Sequence, residues 1–201
     1  MQARKLEITG AFEFSPPSFP DHRGLFVAPF QEAAFVEATG HSLRIAQCNH
    51  SVSARDVVRG VHFADVPPGQ AKYVWCPSGA ALDVVVDLRV GSPTFGRWES
   101  VRLDSDEFRA VYLAEGLGHA FLALADDTAM AYLCSTPYNP PAEHGVDPLD
   151  PELGLPWGDV TEPVLSDKDR NAPSLAEAAD SGLLPNYQDC LDRYELLRSR
   201  G

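Results

Sequence analysis

Residues 57–88 read V-V-R-G-V-H-F-A-D-V-P-P-G-Q-A-K-Y-V-W-C-P-S-G-A-A-L-D-V-V-V-D-L. Short runs rich in Val and aromatic residues are cut by Pro-Pro-Gly and Pro-Ser-Gly. That pattern is strand, turn, strand, turn, strand. Within it, Arg59 and His62 sit on one strand and Lys72 opens the next. Side chains alternate along a strand, so Arg59 and His62, three apart, belong on opposite faces. A bulge near Gly60 would bring them to one face.

The pattern continues on both sides. Strands are expected at 43–52, 57–63, 70–76, 80–88, 97–103, 109–113, 119–125 and 129–135. Spacing near ten residues with turn punctuation predicts a β-sandwich or barrel. Ala81–Leu88 and Ala110–Leu113 are almost wholly apolar, which implies burial on both faces or a subunit contact. Residues 5–15 alternate as a strand or hairpin, broken by Pro16, Pro17 and Pro20. Residues 21–30 read as a turn entering a strand. A short helix over 31–39 closes at Gly40. Residues 136–173 have no period and read as a long loop or arm. Ser174 caps a helix to Asp180, with Glu177 completing a capping box. A last amphipathic helix is expected over Gln188–Arg200.

Composition excludes several classes. The chain has 201 residues and a formal charge of −13, which disfavours nucleic acid, whose phosphates demand Lys and Arg. Local cations, Arg23, Arg55, Arg59 and Lys72, still allow an anionic small ligand. No apolar run is long enough for a membrane span, and the N-terminus lacks a signal peptide's apolar centre. A cytoplasmic protein is expected. Cys48, Cys76, Cys134 and Cys190 form no C-x-x-C pair, so buried thiols are expected rather than zinc or disulfides. There is no G-x-G-x-x-G opening a helix, no P-loop and no G-x-S-x-G.

His62 leads the candidates for chemistry, because two cations beside an imidazole ask for an anion between them. A lone strand histidine is otherwise commonly structural. His119, in G-L-G-H-A-F, is a second histidine whose relation to His62 the sequence leaves open. H-x-H is absent at 62–64, which argues against a metal site. Tyr132 reads either as core packing or as an acid facing a base. Tyr138 reads as a loop anchor or a stacking surface. Asp169 is a solvated carboxylate or the partner of a histidine. Gln47 and Asn49 share a strand face and read as a polar pocket wall.

Eight segments then occur in one order: D-H-R-G, Q-C-N-H-S, V-V-R-G-V-H-F, G-Q-A-K, D-V-V-V-D-L-R-V-G-S-P-T-F-G-R-W, G-L-G-H-A-F, Y-L-C-S-T-P-Y and L-S-D-K-D-R-N-A-P. Together, from about residue 5 to about residue 185, they resemble the dTDP-4-dehydrorhamnose 3,5-epimerase family. The resemblance implies a cupin-like jelly roll (a double-stranded β-helix), all-β with a few short helices. It implies one domain over 1–201, with dimer-exchange strands at about 1–30 and a loop and helix extension at about 140–201. No cofactor and no metal are expected, and the partners implied are a dTDP-4-keto-6-deoxy sugar nucleotide and a second copy of the chain. By motif, His62 is the base, Asp169 its dyad partner, Tyr132 the acid and Lys72 the stabiliser of the enolate oxygen. Arg59 and the partner subunit's Arg23 take the diphosphate, and Gln47 and Asn49 bind it or the sugar. Tyr138 stacks on thymine, His119 lines the sugar pocket, and Phe26 and Glu143 join the substrate contacts. Departures at Val27-Ala28-Pro29, Cys48 and Ala64-Asp65 point to the antibiotic-pathway deoxysugar epimerases, inverting C5 or C3 and C5. Alternatives are a C3 epimerase, a 3,4-ketoisomerase of the same fold class and a silent sugar-nucleotide-binding jelly roll.

Overall fold

A computed structural model describes residues 1–199. All eight strands expected between 43 and 135 form: β5 (Gln47–Ser53), β6 (Val58–Ala64), β7 (Lys72–Ser78), β8 (Ala80–Val86), β9 (Trp98–Asp104), β10 (Ala110–Leu113), β11 (Gly118–Ala123) and β12 (Thr128–Cys134). Before them, β1 (Gln2–Lys5) and β2 (Ala11–Ser15) make a hairpin, as do β3 (Ser18–Asp21) and β4 (Gly24–Val27). Pro20, expected to break structure, lies inside β3. It is tolerated there because a two-stranded ribbon leaves each strand an unpaired edge that needs no N–H.

Helix α1 (Glu32–Thr39) ends at Gly40, whose φ of 82° is the left-handed conformation that closes a helix without a Cβ clash. The arm expected over 136–173 contains a strand that its composition hid, β13 (Glu143–Gly145), pairing with β6. Helix α2 (Asp167–Arg170) follows it, then α3 (Leu175–Asp180) with the expected Ser174–Glu177 capping box. The last helix is α4 (Tyr187–Arg198); Arg200, included in the expectation, lies outside the described residues.

The strands form antiparallel sheets in the orders β1-β2-β10-β7-β12-β5 and β13-β6-β11-β8-β9. Their facing sides meet in one apolar core that includes Val74, Cys76, Val85, Val111 and Phe121. Each sheet is also covered outside. Phe35 of α1 and Cys190 and Tyr194 of α4 pack on Tyr73 and Tyr112 of the first. Val146, Leu153, Trp157, Leu175 and Leu184 pack on Val61, Val84 and Leu122 of the second. Burial on both faces is why β8 and β10 read as continuous apolar runs. The fully buried pair Arg89–Asp87 ties the end of β8 to α4, since Arg89 also donates to Tyr194. Cys76, Cys134 and Cys190 are buried as expected, but Cys48 is exposed, because it faces outward on the edge strand β5. Among the described residues, no helix is long and apolar enough to cross a membrane.

Candidate active site

Register resolves the geometry of β6. His62 stands opposite His119 of β11, and Arg59 opposite Phe121. Two residues of β6, Gly60 and Val61, therefore face one residue of β11, Ala120, which is the expected bulge. Phe121 points into the core between the sheets, and His119, two residues away, shares that face. Arg59 and His62 consequently face the same interior although they are three residues apart. Gly60 makes this local geometry: its φ is 121°, and a Cβ there would lie 2.5 Å from the His119 carbonyl oxygen.

His62 Nε2 lies 2.6 Å from Asp169 Oδ1. Asp169 is presented by α2, whose Ser166 hydroxyl accepts the Asp169 N–H as N-cap. Burial alone would raise the Asp169 carboxyl. The His62 ring, Ser166 and the Gly60 backbone outweigh it and hold the carboxyl below its ordinary value. An ionised carboxylate only accepts, so Nε2 carries the hydrogen and Nδ1 of a neutral ring keeps its lone pair.

The facing sheet presents a second group. Lys72, Cys134 and Gln47 are direct cross-strand partners on β7, β12 and β5, and Asn49 and Tyr132 pair two residues along. Lys72 shares a face with Val74 and Cys76, so this row also points inward. Among the described residues no carboxylate makes an ion pair with the buried Lys72. Burial depresses its pKa, opposed by Glu143, Cys134 and Asp83. Burial raises the Tyr132 phenol, with Cys134 and Glu143 adding to it and Arg59 and Asn49 opposing. Gln47 donates to Asn49 at 2.6 Å and accepts the Tyr138 N–H at 2.9 Å, so it also fixes the loop after β12.

A second imidazole–carboxylate pair lies between the sheets: His119 Nε2 is 2.7 Å from Asp83 Oδ2. Asp83 is fully buried and its other oxygen has no partner among the described residues. Sequence reasoning missed Asp83; its signal was a lone carboxylate in the apolar run A-L-D-V-V-V. It also missed Lys168, which lines the same cavity as His62 beside Asp169.

A cleft opens over this interior in two parts of about 420 Å³ each, sharing Tyr138 and Glu143 as a common wall. Arg59, His62, Lys168 and Asp169 line one part, and Asp65, Gln70 and Asn139 line the other. Strand β13 holds Glu143 there through its pairing with Ala64. Lys72, Tyr132, Gln47, Asn49 and His119 face the interior between the sheets but line neither part of the cleft, and two further candidates stand elsewhere. Arg23 and Phe26 lie on the β3–β4 hairpin, where Arg23 pairs with Asp21 and Phe26 is 67% exposed. Neither lines the cleft among the described residues. Among the described residues no group of three or more His, Cys, Asp or Glu side chains is arranged to hold a metal ion.

The family model described as dTDP-4-dehydrorhamnose 3,5-epimerase matches residues 5–177. The chain is 56% identical to a dTDP-4-dehydrorhamnose 3,5-epimerase of Mycolicibacterium smegmatis, over 98% of each chain. It is similar to NovW, a 4-keto-6-deoxy sugar epimerase from the novobiocin biosynthetic gene cluster of Streptomyces spheroides. That match has a TM-score of 0.92 and 55% identity, over 94% of this chain and 95% of NovW. It is also similar to ChmJ, a 3'-monoepimerase from Streptomyces bikiniensis in complex with dTDP-quinovose. There the TM-score is 0.93 and the identity 52%, over 96% of this chain and 98% of ChmJ.

Proposed function

The chain belongs to the dTDP-4-dehydrorhamnose 3,5-epimerase family, and from that premise we propose that it epimerises a dTDP-4-keto-6-deoxyhexose in deoxysugar biosynthesis. The centre inverted is C5, with C3 as a second centre. The observation that carries this reading is an opposition of walls. His62 belongs to one sheet, Tyr132 and Lys72 to the other, and all three face one interior.

Inversion at carbon needs that opposition. A C–H beside a ketone is a weak acid because its anion delocalises onto oxygen. His62 Nδ1 removes the proton, with Asp169 stabilising the imidazolium that forms. Lys72 meets the negative charge that develops on the C4 oxygen. Tyr132 then returns a proton to the other face. Each step uses side chains alone.

Arg59 and Lys168 bind the diphosphate from within the subunit. The partner subunit's Arg23 supplies a third cation, and the partner's Phe26 meets the base opposite Tyr138. This homodimer is supported by the hairpin, which leaves Phe19, Leu25 and Phe26 exposed with no cover among the described residues. Gln47, Asn49 and Glu143 orient the nucleotide, and His119, held by Asp83, lines the sugar pocket. We read the chain as one jelly-roll unit that acts in the cytoplasm. The similarity to ChmJ, named a 3'-monoepimerase, favours a second reading in which C3 alone inverts.

Incubation of dTDP-4-keto-6-deoxyglucose with the protein in deuterated water tests both readings. Deuterium at C5, or at C3 and C5, is expected. Deuterium at C3 alone selects the second reading, and no incorporation with any dTDP-4-keto sugar removes both.

A further inference from the structure

A third cavity, of about 560 Å³, lies behind the Pro67–Pro68 turn, between the 41–44 loop, the end of β10 and α4. It shares only Pro68 and Thr136 with the cleft described above and none of the candidate catalytic residues. Tyr112 and Glu115 line its floor, each 1% exposed. Tyr112 Oη and Glu115 Oε2 are buried there without a hydrogen-bond partner among the described residues. A buried carboxylate oxygen without a donor is costly, and a phenol without a partner is rarely left so.

The charge around these atoms is lopsided. Glu115 Oε1 meets Arg193 Nε at 3.4 Å, a long contact that leaves the terminal nitrogens of Arg193 without an acidic partner among the described residues. Arg44 lines the cavity and makes no ion pair among the described residues. Two guanidiniums therefore outweigh one carboxylate, in a chain whose formal charge is −13. A ligand that fits supplies hydroxyl donors to the floor and a net negative group to the rim. An amino-acid zwitterion supplies the donors but no net charge to balance the second arginine.

We propose that this cavity is a second binding site, for a small polyhydroxylated anion of the sugar-phosphate class. Its hydroxyls donate to Glu115 Oε2 and pair with Tyr112 Oη, and its phosphate lies against Arg193 and Arg44 in bidentate fashion. The site stands apart from the epimerase reading and does not depend on it.

Isothermal titration of the full chain with glucose 1-phosphate, in saturating dTDP so that the cleft is filled, tests the site. One saturable event per chain is expected, with glucose and inorganic phosphate, titrated separately, each binding at least about tenfold more weakly. Arg193→Met should weaken binding about tenfold or more, and Tyr112→Phe about fivefold. Arg44→Ala, at an exposed position that leaves the fold intact, should weaken it as well. Arg59→Met should leave it unchanged. The proposal is overturned if glucose 1-phosphate gives no saturable heat, or if inorganic phosphate binds equally well. It is equally overturned if Arg59→Met abolishes binding while Arg44→Ala and Arg193→Met retain it, since the ligand then occupies the cleft.

Discussion

At the scale of single residues, the arrangement separates two tasks that a kinetic experiment can resolve. If His62 is the base, as proposed, His62→Ala should slow deuterium incorporation from solvent by about 10²–10⁴-fold. If Tyr132 is the proposed acid on the opposite wall, Tyr132→Phe should let proton abstraction persist while inversion stops. Mass spectrometry for deuterium and NMR for configuration read the two separately; equal loss of both in Tyr132→Phe would strip the tyrosine of its role as acid. Gly60 is a different kind of residue. With φ at 121° and the His119 carbonyl oxygen 2.5 Å from any Cβ, Gly60→Ala must displace either β6 or β11. A loss of about 2–4 kcal/mol in urea unfolding is expected, together with loss of activity, because the same bulge aims Arg59 and His62.

At the scale of elements, the β3–β4 hairpin is the part whose purpose the single chain leaves open. It carries Arg23 and Phe26 away from the cleft, and Phe19 packs loosely on Phe26 at a ring separation of 6.4 Å. If the partner subunit's Arg23 completes the site, two inactive variants should repair each other. A mixture of Arg23→Ala and His62→Ala chains, denatured and refolded together, should regain activity. Mixed dimers then hold one site with His62 intact and the partner's Arg23 intact. About a quarter of the wild-type turnover is expected for random pairing, half of the dimers being mixed with one good site each. Activity no greater than the sum of the separate variants would place Arg23 outside the site. The 47–53 edge strand and the β13 strand show the other side of this scale. Strand β13 is only three residues long, yet its pairing with β6 sets Glu143 in the wall of the cleft, while β5 carries Gln47, which fixes the Tyr138 loop.

At the scale of the whole molecule, several buried or capped carboxylates hold depressed pKa values. For Asp169, burial is outweighed by His62, Ser166 and the Gly60 backbone. For Asp87, burial is outweighed by Arg89, Ser92 and Thr94. For Asp104, burial is outweighed by the Glu107 and Asp106 amides and Arg102. Each lies below the ordinary carboxylate value of 3.8 when folded. The stability each contributes is present above the unfolded pKa and is lost as pH falls through the folded one. Thermal unfolding should therefore be steady above about pH 5 and fall steeply below about pH 4. Asp87→Asn should flatten that fall while lowering the plateau by about 3–5 kcal/mol, because it leaves the fully buried Arg89 without its partner. An acid limb unchanged in Asp87→Asn would show that other carboxylates govern it.

Much of this was legible in the chain itself. Alternation and turn residues located the eight central strands, the α1 stop at Gly40 and the α3 capping box, because these are set by neighbours a few residues apart. The ordered motifs carried the family, and Gly60 already posed the bulge as a condition on Arg59 and His62. The sequence could not decide which strands lie side by side. His62 meets Asp169 across 107 positions and faces His119 across the sheet; Asp83 reaches His119 across 36. Those contacts depend on strand order and register, which arise from burying both faces of two sheets at once rather than from any local preference. Local chemistry thus determined what the elements are and which side chains they carry. Only tertiary packing decided that His62 from one sheet and Tyr132 from the other face a single interior.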